Sequence, residues 1–97
     1  MAQTEPPAEL EQNLALIKVK LQDGKAILGT AAVIKKLRGG MLESVFLARN
    51  CPDTIKNDLQ HLAKLGNIPV EVLSLDNEEL GVFCKKGFFI SVLGAMK

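Results

Sequence analysis

One histidine, two cysteines and no tyrosine or tryptophan leave this 97-residue chain few of the side chains on which most enzyme chemistry rests. His61 falls on a polar helical stripe with Asn57 and Lys64, and Asp58 precedes it by one helical turn. That is the setting of a solvated histidine with at most a weak partner. No Ser-His-Asp set forms, because nothing in the sequence holds a nucleophile at a sharp turn. One histidine and two cysteines far apart give no recognised metal-ligand spacing. Gly24 and Gly29 stand as in GxxxxG, but Thr30-Ala31 follows where a phosphate loop needs Lys and then Ser or Thr. The first glycine also ends a helix and the run between is apolar, so nucleotide hydrolysis is excluded. Cys84 reads as a small core residue. Cys51 sits where a helix begins, which in principle lowers a thiol pKa, but a structural role is the stronger reading. No residue is assigned to catalysis, to a metal or to a cofactor, and the chain reads as a non-enzyme.

The remaining polar and aromatic residues suit binding. Gly29 lets a ligand approach the backbone closely. The helix that begins at Thr30 offers free N–H groups and a partial positive charge. Lys35 and Arg38 follow one turn apart on that helix, and an exposed basic face is the alternative reading of the pair. Arg49 and Asn50 end a strand. The Asn50 amide is both donor and acceptor, which is what reading a base edge requires. Phe88 and Phe89 alternate in direction at a strand entrance, so one is expected inward and the other free to meet an unstacked base; the alternative is that both are core.

These residues need elements to carry them. Leu10, Leu14, Ile17 and Leu21 step as one stripe of an amphipathic helix from Ala8, which Asp23-Gly24 ends. Ala26-Ile27-Leu28 predicts a short strand. Gly29-Thr30 opens a second helix with Val33, Ile34 and Leu37 inward, stopped by Gly39-Gly40. Ser44 to Ala48 is a continuous apolar run, typical of a strand covered on both faces. Pro52 suits the first turn of a third helix, whose buried stripe is Ile55, Leu59, Leu62 and Ala63 and which Gly66 ends. Ile68 to Leu73 predicts a strand with Pro69 at its entrance or edge. Asp76-Asn77-Glu78-Glu79 has capping-box spacing and opens a fourth helix, with Leu80, Phe83 and Cys84 on one face and Gly87 closing it. Phe88 to Leu93 predicts the last strand. Strands alternating with helices imply a three-layer α/β/α sandwich around a mixed sheet of about four strands. The loops at Gly29, at Arg49-Asn50 and at Phe88-Phe89 should then share one end, where strands of α/β folds keep their sites.

Size and composition bound the rest. A hydrophobic fraction of 47% with 24% charged residues fits a single globular domain. Residues 1–7 read as a flexible tail and residues 8–97 as the domain. No apolar run is long enough to span a membrane, the start lacks the pattern of a signal peptide, and the cysteines are expected to be reduced and cytosolic. The net charge is +1, but it is unevenly spread. Residues 1–17 carry three acids and no base, and residues 18–40 carry six bases against one acid. A local anionic contact is the implication, not general adhesion to polyanions.

Four strings in order carry a resemblance: Gly24-Lys25-Ala26-Ile27-Leu28-Gly29, Lys35-Lys36-Leu37-Arg38-Gly39-Gly40, Val45-Phe46-Leu47-Ala48-Arg49-Asn50-Cys51-Pro52 and Glu79-Leu80-Gly81. From about Leu10 to Met96 the chain resembles the archaeal and eukaryotic large-subunit ribosomal protein family "L-thirty-e", one of a superfamily of kink-turn RNA binders. The resemblance implies the same sandwich, and ribosomal RNA as partner at a sharply bent internal loop with tandem sheared G·A pairs. It implies that Gly29 and Thr30 set their backbone against the bent phosphates and that Asn50 contacts a guanine. Phe88, Phe89 and Ile90 would form an apolar loop on an extruded base. Lys35, Arg38 and Arg49, read from their own charge and place, complete the set of expected RNA-binding residues. Neighbouring ribosomal proteins are further expected partners, in the cytoplasm, with neither membrane nor DNA. Four positions depart from the family. Ala31 stands where a Lys is usual, Met41 and Glu43 stand in a turn that tends to be basic, and Phe89 replaces a frequent Arg. Weaker isolated affinity and a shallower salt dependence follow. Two alternatives are a kink-turn protein of a guide-RNA or RNA-processing particle, and a protein-interaction module of the same fold with weakened RNA binding.

Overall fold

The structure, a computed structural model, describes residues 8–97. The tail read over residues 1–7 and the side chain of Leu10 lie outside the described residues. The elements are α1 (Ala8–Gln22), β1 (Ala26–Leu28), α2 (Thr30–Arg38), β2 (Leu42–Leu47), α3 (Asp53–Leu65), β3 (Val70–Val72), α4 (Asn77–Phe83) and β4 (Val92–Met96). The strands form one mixed sheet in the order β1-β4-β2-β3, in which β4 runs antiparallel to both neighbours and β2 pairs parallel with β3. The expected α/β sandwich is the observed one.

Side-chain alternation along the strands builds the two interfaces of the sandwich. Phe46 of β2 and Leu93 and Ala95 of β4 face α1 and α4, where Ile17 and Leu80 are buried against them. Val45 and Leu47 of β2 and Val92 of β4 face α2 and α3, where they meet Val33, Leu37, Leu59 and Ala63. Both faces of β2 are therefore covered, as its continuous apolar run requires. Glu43 is the exposed exception, at a register shift between Leu42 and Ser44. From this bulge it pairs with Lys20 of α1 at 2.6 Å, and the Lys20 ammonium also donates to the Met96 carbonyl at 2.8 Å. Glu43, a departure from the basic family pattern, thus joins α1 to the start of β2.

Several boundaries differ from those read in sequence. The last strand starts at Val92 and not at Phe88, because Phe88 to Ser91 form an irregular segment that runs back from α4. The third strand is confined to Val70–Val72, since Pro69 lacks the N–H a longer ladder needs. Pro52 is the N-cap of α3 and not a residue of its first turn. The fourth helix ends at Phe83 with Cys84 as its C-cap, ahead of Gly87: Lys85 takes the left-handed conformation (φ 59°), Lys85 N–H donates to the Val82 carbonyl and Lys86 N–H to that of Gly81. This is a Schellman termination with lysine where glycine is usual.

Candidate functional site

The strand directions decide which loops meet. With β4 antiparallel to β1 and β2, and β2 parallel to β3, the C-terminal ends of β1, β2 and β3 share an edge with the N-terminal end of β4. Hydrogen bonds tie these ends together. Gly29 N–H donates to the Val92 carbonyl at 3.0 Å, Ala48 N–H to Ser91 at 2.9 Å, and Arg49 N–H to Leu75 at 2.7 Å. The expected gathering of three loops at one end is what the backbone forms.

At the first loop, Gly29 has φ 100° and ψ 148° and serves as the N-cap of α2 without a side-chain cap. Only glycine adopts this backbone readily. A Cβ there would meet nothing within 4 Å, so the requirement is conformational and the surface above the residue is open. The first-turn N–H groups of α2 lack a capping side chain. Thr30 is half-buried and Ala31 exposed.

At the second loop, Asn50 is exposed but not loose. Its Oδ1 accepts from the backbone N–H of Asn77 at 2.9 Å, and its Nδ2 donates to the Asn77 Oδ1 at 3.1 Å. A backbone N–H can only donate, so this contact fixes which end of the Asn50 amide is oxygen. Arg49 is largely exposed and lies 3.6 Å from Asp76, a surface pair worth little on its own. Asp76 is engaged already: its side chain accepts from Glu79 N–H at 2.8 Å while Glu79 returns a bond to Asp76 N–H at 2.9 Å. This is the capping box read in the sequence. Asp76 and Asn77 thus hold the second loop, a role their sequence signal did not show.

At the third loop both phenylalanines are exposed, Phe88 by 57% and Phe89 by 66%. Neither the inward-outward pair nor the two-core alternative describes them. With β4 starting later, no strand alternation operates on them. Ile90 corrects the expectation that it joins an apolar surface loop: it is 1% exposed, packed in the core beside Leu80 and Leu93, with its N–H on the Asn77 carbonyl at 3.0 Å. Gly81 explains how the loop sits so near α4. A Cβ at Gly81 would run into the Phe88 carbonyl. Beside the rings lies a hollow of about 210 Å³ lined by Glu78, Val82, Lys86, Phe88 and Phe89. Val82, an exposed valine of α4, was not singled out in the sequence, although it stands one turn from Glu78 and Glu79 on a short helix.

Two predicted residues lie apart from this edge. Lys35 and Arg38 are exposed on α2, but α2 leads away from the edge. At about 1.5 Å per residue Arg38 is roughly 12 Å along the axis from Thr30, beside Gly40, Leu65 and Lys97. Burial holds the thiols of Cys51 and Cys84 above their ordinary pKa, against a weaker opposing pull from Lys56 and Lys86 respectively. The lowering that a helix start would give Cys51 is overridden. Among the described residues no cluster of His, Cys, Asp and Glu gathers as metal ligands, and no helix is long and apolar enough to cross a membrane.

The edge therefore offers an open glycine turn, a fixed amide and two exposed rings. The sequence over residues 11–97 matches the family described as Ribosomal protein L7Ae/L30e/S12e/Gadd45. The chain belongs to this family. Within the L7Ae/L30e family it is 33% identical over 78 residues to the large ribosomal subunit protein eL30 of Sulfolobus acidocaldarius, covering 80% of this chain and 75% of that protein. It is 38% identical over 77 residues to its counterpart from Methanocaldococcus jannaschii (79% and 70% covered). The counterpart from Tetrahymena thermophila is 35% identical over 77 residues (79% and 71%). In fold it is similar to the Giardia lamblia 15.5kD RNA binding protein, with TM-score 0.80 and 21% identity over 94% of this chain and 77% of that one. The L7Ae/L30e fold thus agrees with the sandwich and with the resemblance of the four strings.

Proposed function

We propose that this chain is a structural, non-enzymatic component of the large ribosomal subunit that binds ribosomal RNA at a kink-turn-like bent internal loop. It would act in the cytoplasm, on the ribosome, beside neighbouring ribosomal proteins. The observation that carries the reading is the Asn50 amide, exposed and fixed in orientation on the same edge as the Gly29 turn and the Phe88-Phe89 pair. Each part answers a feature of such an RNA. Backbone N–H groups at the start of α2 suit phosphate oxygens crowded by the bend. After its two bonds to Asn77, Asn50 retains one N–H and a lone pair for a purine edge. The rings beside Val82 suit a base splayed from the stack. Arg49 stands near enough to add charge at the bend, and Lys35 and Arg38 lie along α2, where a stem leading away from the bend would pass. Relatives named large ribosomal subunit proteins support the ribosomal setting.

Titration of a synthetic kink-turn RNA with the protein tests this. Asn50→Ala is expected to weaken binding by about 1–3 kcal/mol, the scale of one base-specific contact, at a temperature where both proteins are folded; its circular-dichroism melt is expected to fall modestly, because the two bonds to Asn77 go with the side chain. Equal affinity of the two proteins removes Asn50 from the interface. Sedimentation with large subunits in high salt tests the ribosomal setting separately.

A further inference from the structure

We infer that Asn77 is a positioning residue for RNA recognition, which fixes the Asn50 amide and couples it to the aromatic loop; this rests on the kink-turn reading of the site. Every backbone polar group of Asn77, and its side-chain oxygen, is committed across the site. Its N–H donates to Asn50 Oδ1 at 2.9 Å, its Oδ1 accepts from Asn50 Nδ2 at 3.1 Å, and its carbonyl accepts from Ile90 N–H at 3.0 Å. The first two bonds close a ring that admits a single amide orientation. The third holds the residue that follows Phe88 and Phe89. Asn77 is also the first residue of α4 and stands beside the Asp76 cap, so it moves only as part of a capped helix. An unrestrained asparagine would swing about its side-chain torsions and present oxygen or nitrogen indifferently. The Asn77 N–H fixes which end is oxygen, and the Asn77 side chain adds the second point that stops the amide swinging before RNA arrives, which reduces the ordering cost of binding.

A double-mutant cycle on a synthetic kink-turn RNA with tandem G·A pairs tests the inference. Asn77→Ala leaves its backbone N–H and carbonyl in place and deletes only the acceptor for Asn50 Nδ2. Binding is expected to weaken about five- to tenfold, the scale of one net hydrogen bond. In an Asn50→Ala background the same change is expected to alter affinity less than about twofold, because coupled residues are not additive. Asn77→Asp keeps the acceptor in place. At elevated salt, where screening removes the repulsion its charge adds, it is expected within about twofold of wild type, and the Asn50 side-chain amide resonance is expected to keep its position. Equal losses from Asn77→Ala with and without Asn50 would overturn the inference in favour of a purely structural role. So would full affinity of Asn77→Ala while Asn50→Ala binds weakly. Wild-type affinity of Asn50→Ala would remove Asn50 from the interface and overturn the inference with it, whereas no binding of this RNA by the wild-type protein would overturn the kink-turn reading itself.

Discussion

Asn50, Gly81 and the two thiols show how differently a single residue can be tied to function. Asn50 was legible as a candidate because an amide at a strand end has few structural reasons to be there. Its partner Asn77 was not, because a contact across 27 positions leaves no local pattern and Asn77 sits inside a capping box that already explains it. Gly81 belongs to a string that carried the resemblance, and its physical reason is the Phe88 carbonyl lying where a Cβ would go. Gly81→Ala must push the backbone of the aromatic loop off α4. We expect a loss of about 1–3 kcal/mol in urea unfolding, the usual cost of overpacking, and weaker binding of kink-turn RNA at temperatures where the variant is fully folded. An unchanged urea midpoint would show that the loop yields freely. The thiols make a pH prediction. Burial raises both pKa values in the folded chain, so on passing into alkaline solution the unfolded chain loses thiol protons first. The folded state then binds more protons, and stability falls as pH rises. Replacing both with alanine or serine should flatten that alkaline decline in the urea midpoint, whatever it does to stability at neutral pH.

Helix ends show what local sequence can and cannot specify. Each helix stops in the same way, with a left-handed residue one past the cap and two backward hydrogen bonds. Gly24 and Gly40 fill that position for α1 and α2, and both stops were legible from composition. For α3 and α4 the position is taken by Asn67 and Lys85, while the glycines nearby, Gly66 and Gly87, do not. A rule that looks for glycine therefore ends α4 late and starts the last strand early. The missing information is tertiary: Lys86 N–H reaches back to Gly81, and the chain from Lys85 must cross α4 to deliver Ile90 to the core. At the other end of α4 the capping box was legible, and its value is testable. A helix of seven residues is marginal alone. Asp76→Ala is expected to lose about 1 kcal/mol in denaturant unfolding and to weaken RNA binding, since the segment that holds Arg49 and Asn50 frays. Asp76→Ser retains a capping oxygen and is expected to recover most of both losses. Failure of serine to recover stability would assign the loss to something other than the cap.

The whole molecule is nearly neutral, and on the proposed reading it meets RNA with one edge, so its charge economy should be visible in salt dependence. A net charge of +1 cannot hold RNA by its general field, so the proposed site must draw its affinity from a few fixed contacts and from the rings. If Lys35, Arg38 and Arg49 each neutralise one phosphate, the slope of log affinity against log salt is about −2 to −3, at 0.7–0.9 per contact. That is shallow for an RNA-binding domain. Ala31 shows where one more contact belongs. It is exposed in the first turn of α2, directly beyond the Gly29 turn and on the edge shared with Asn50. A lysine there reaches outward over open surface, where a Cβ at Gly29 itself would meet nothing, and it does not displace a core side chain. Ala31→Lys is therefore expected to tighten kink-turn binding at low salt and to steepen the slope by about 0.7–0.9, with little change in thermal stability. The same lysine introduced at exposed Gln60 of α3, on the polar stripe with His61, is expected to leave the slope nearly unchanged. Equal steepening by the two variants would mean that charge acts at a distance and that the start of α2 does not face the RNA.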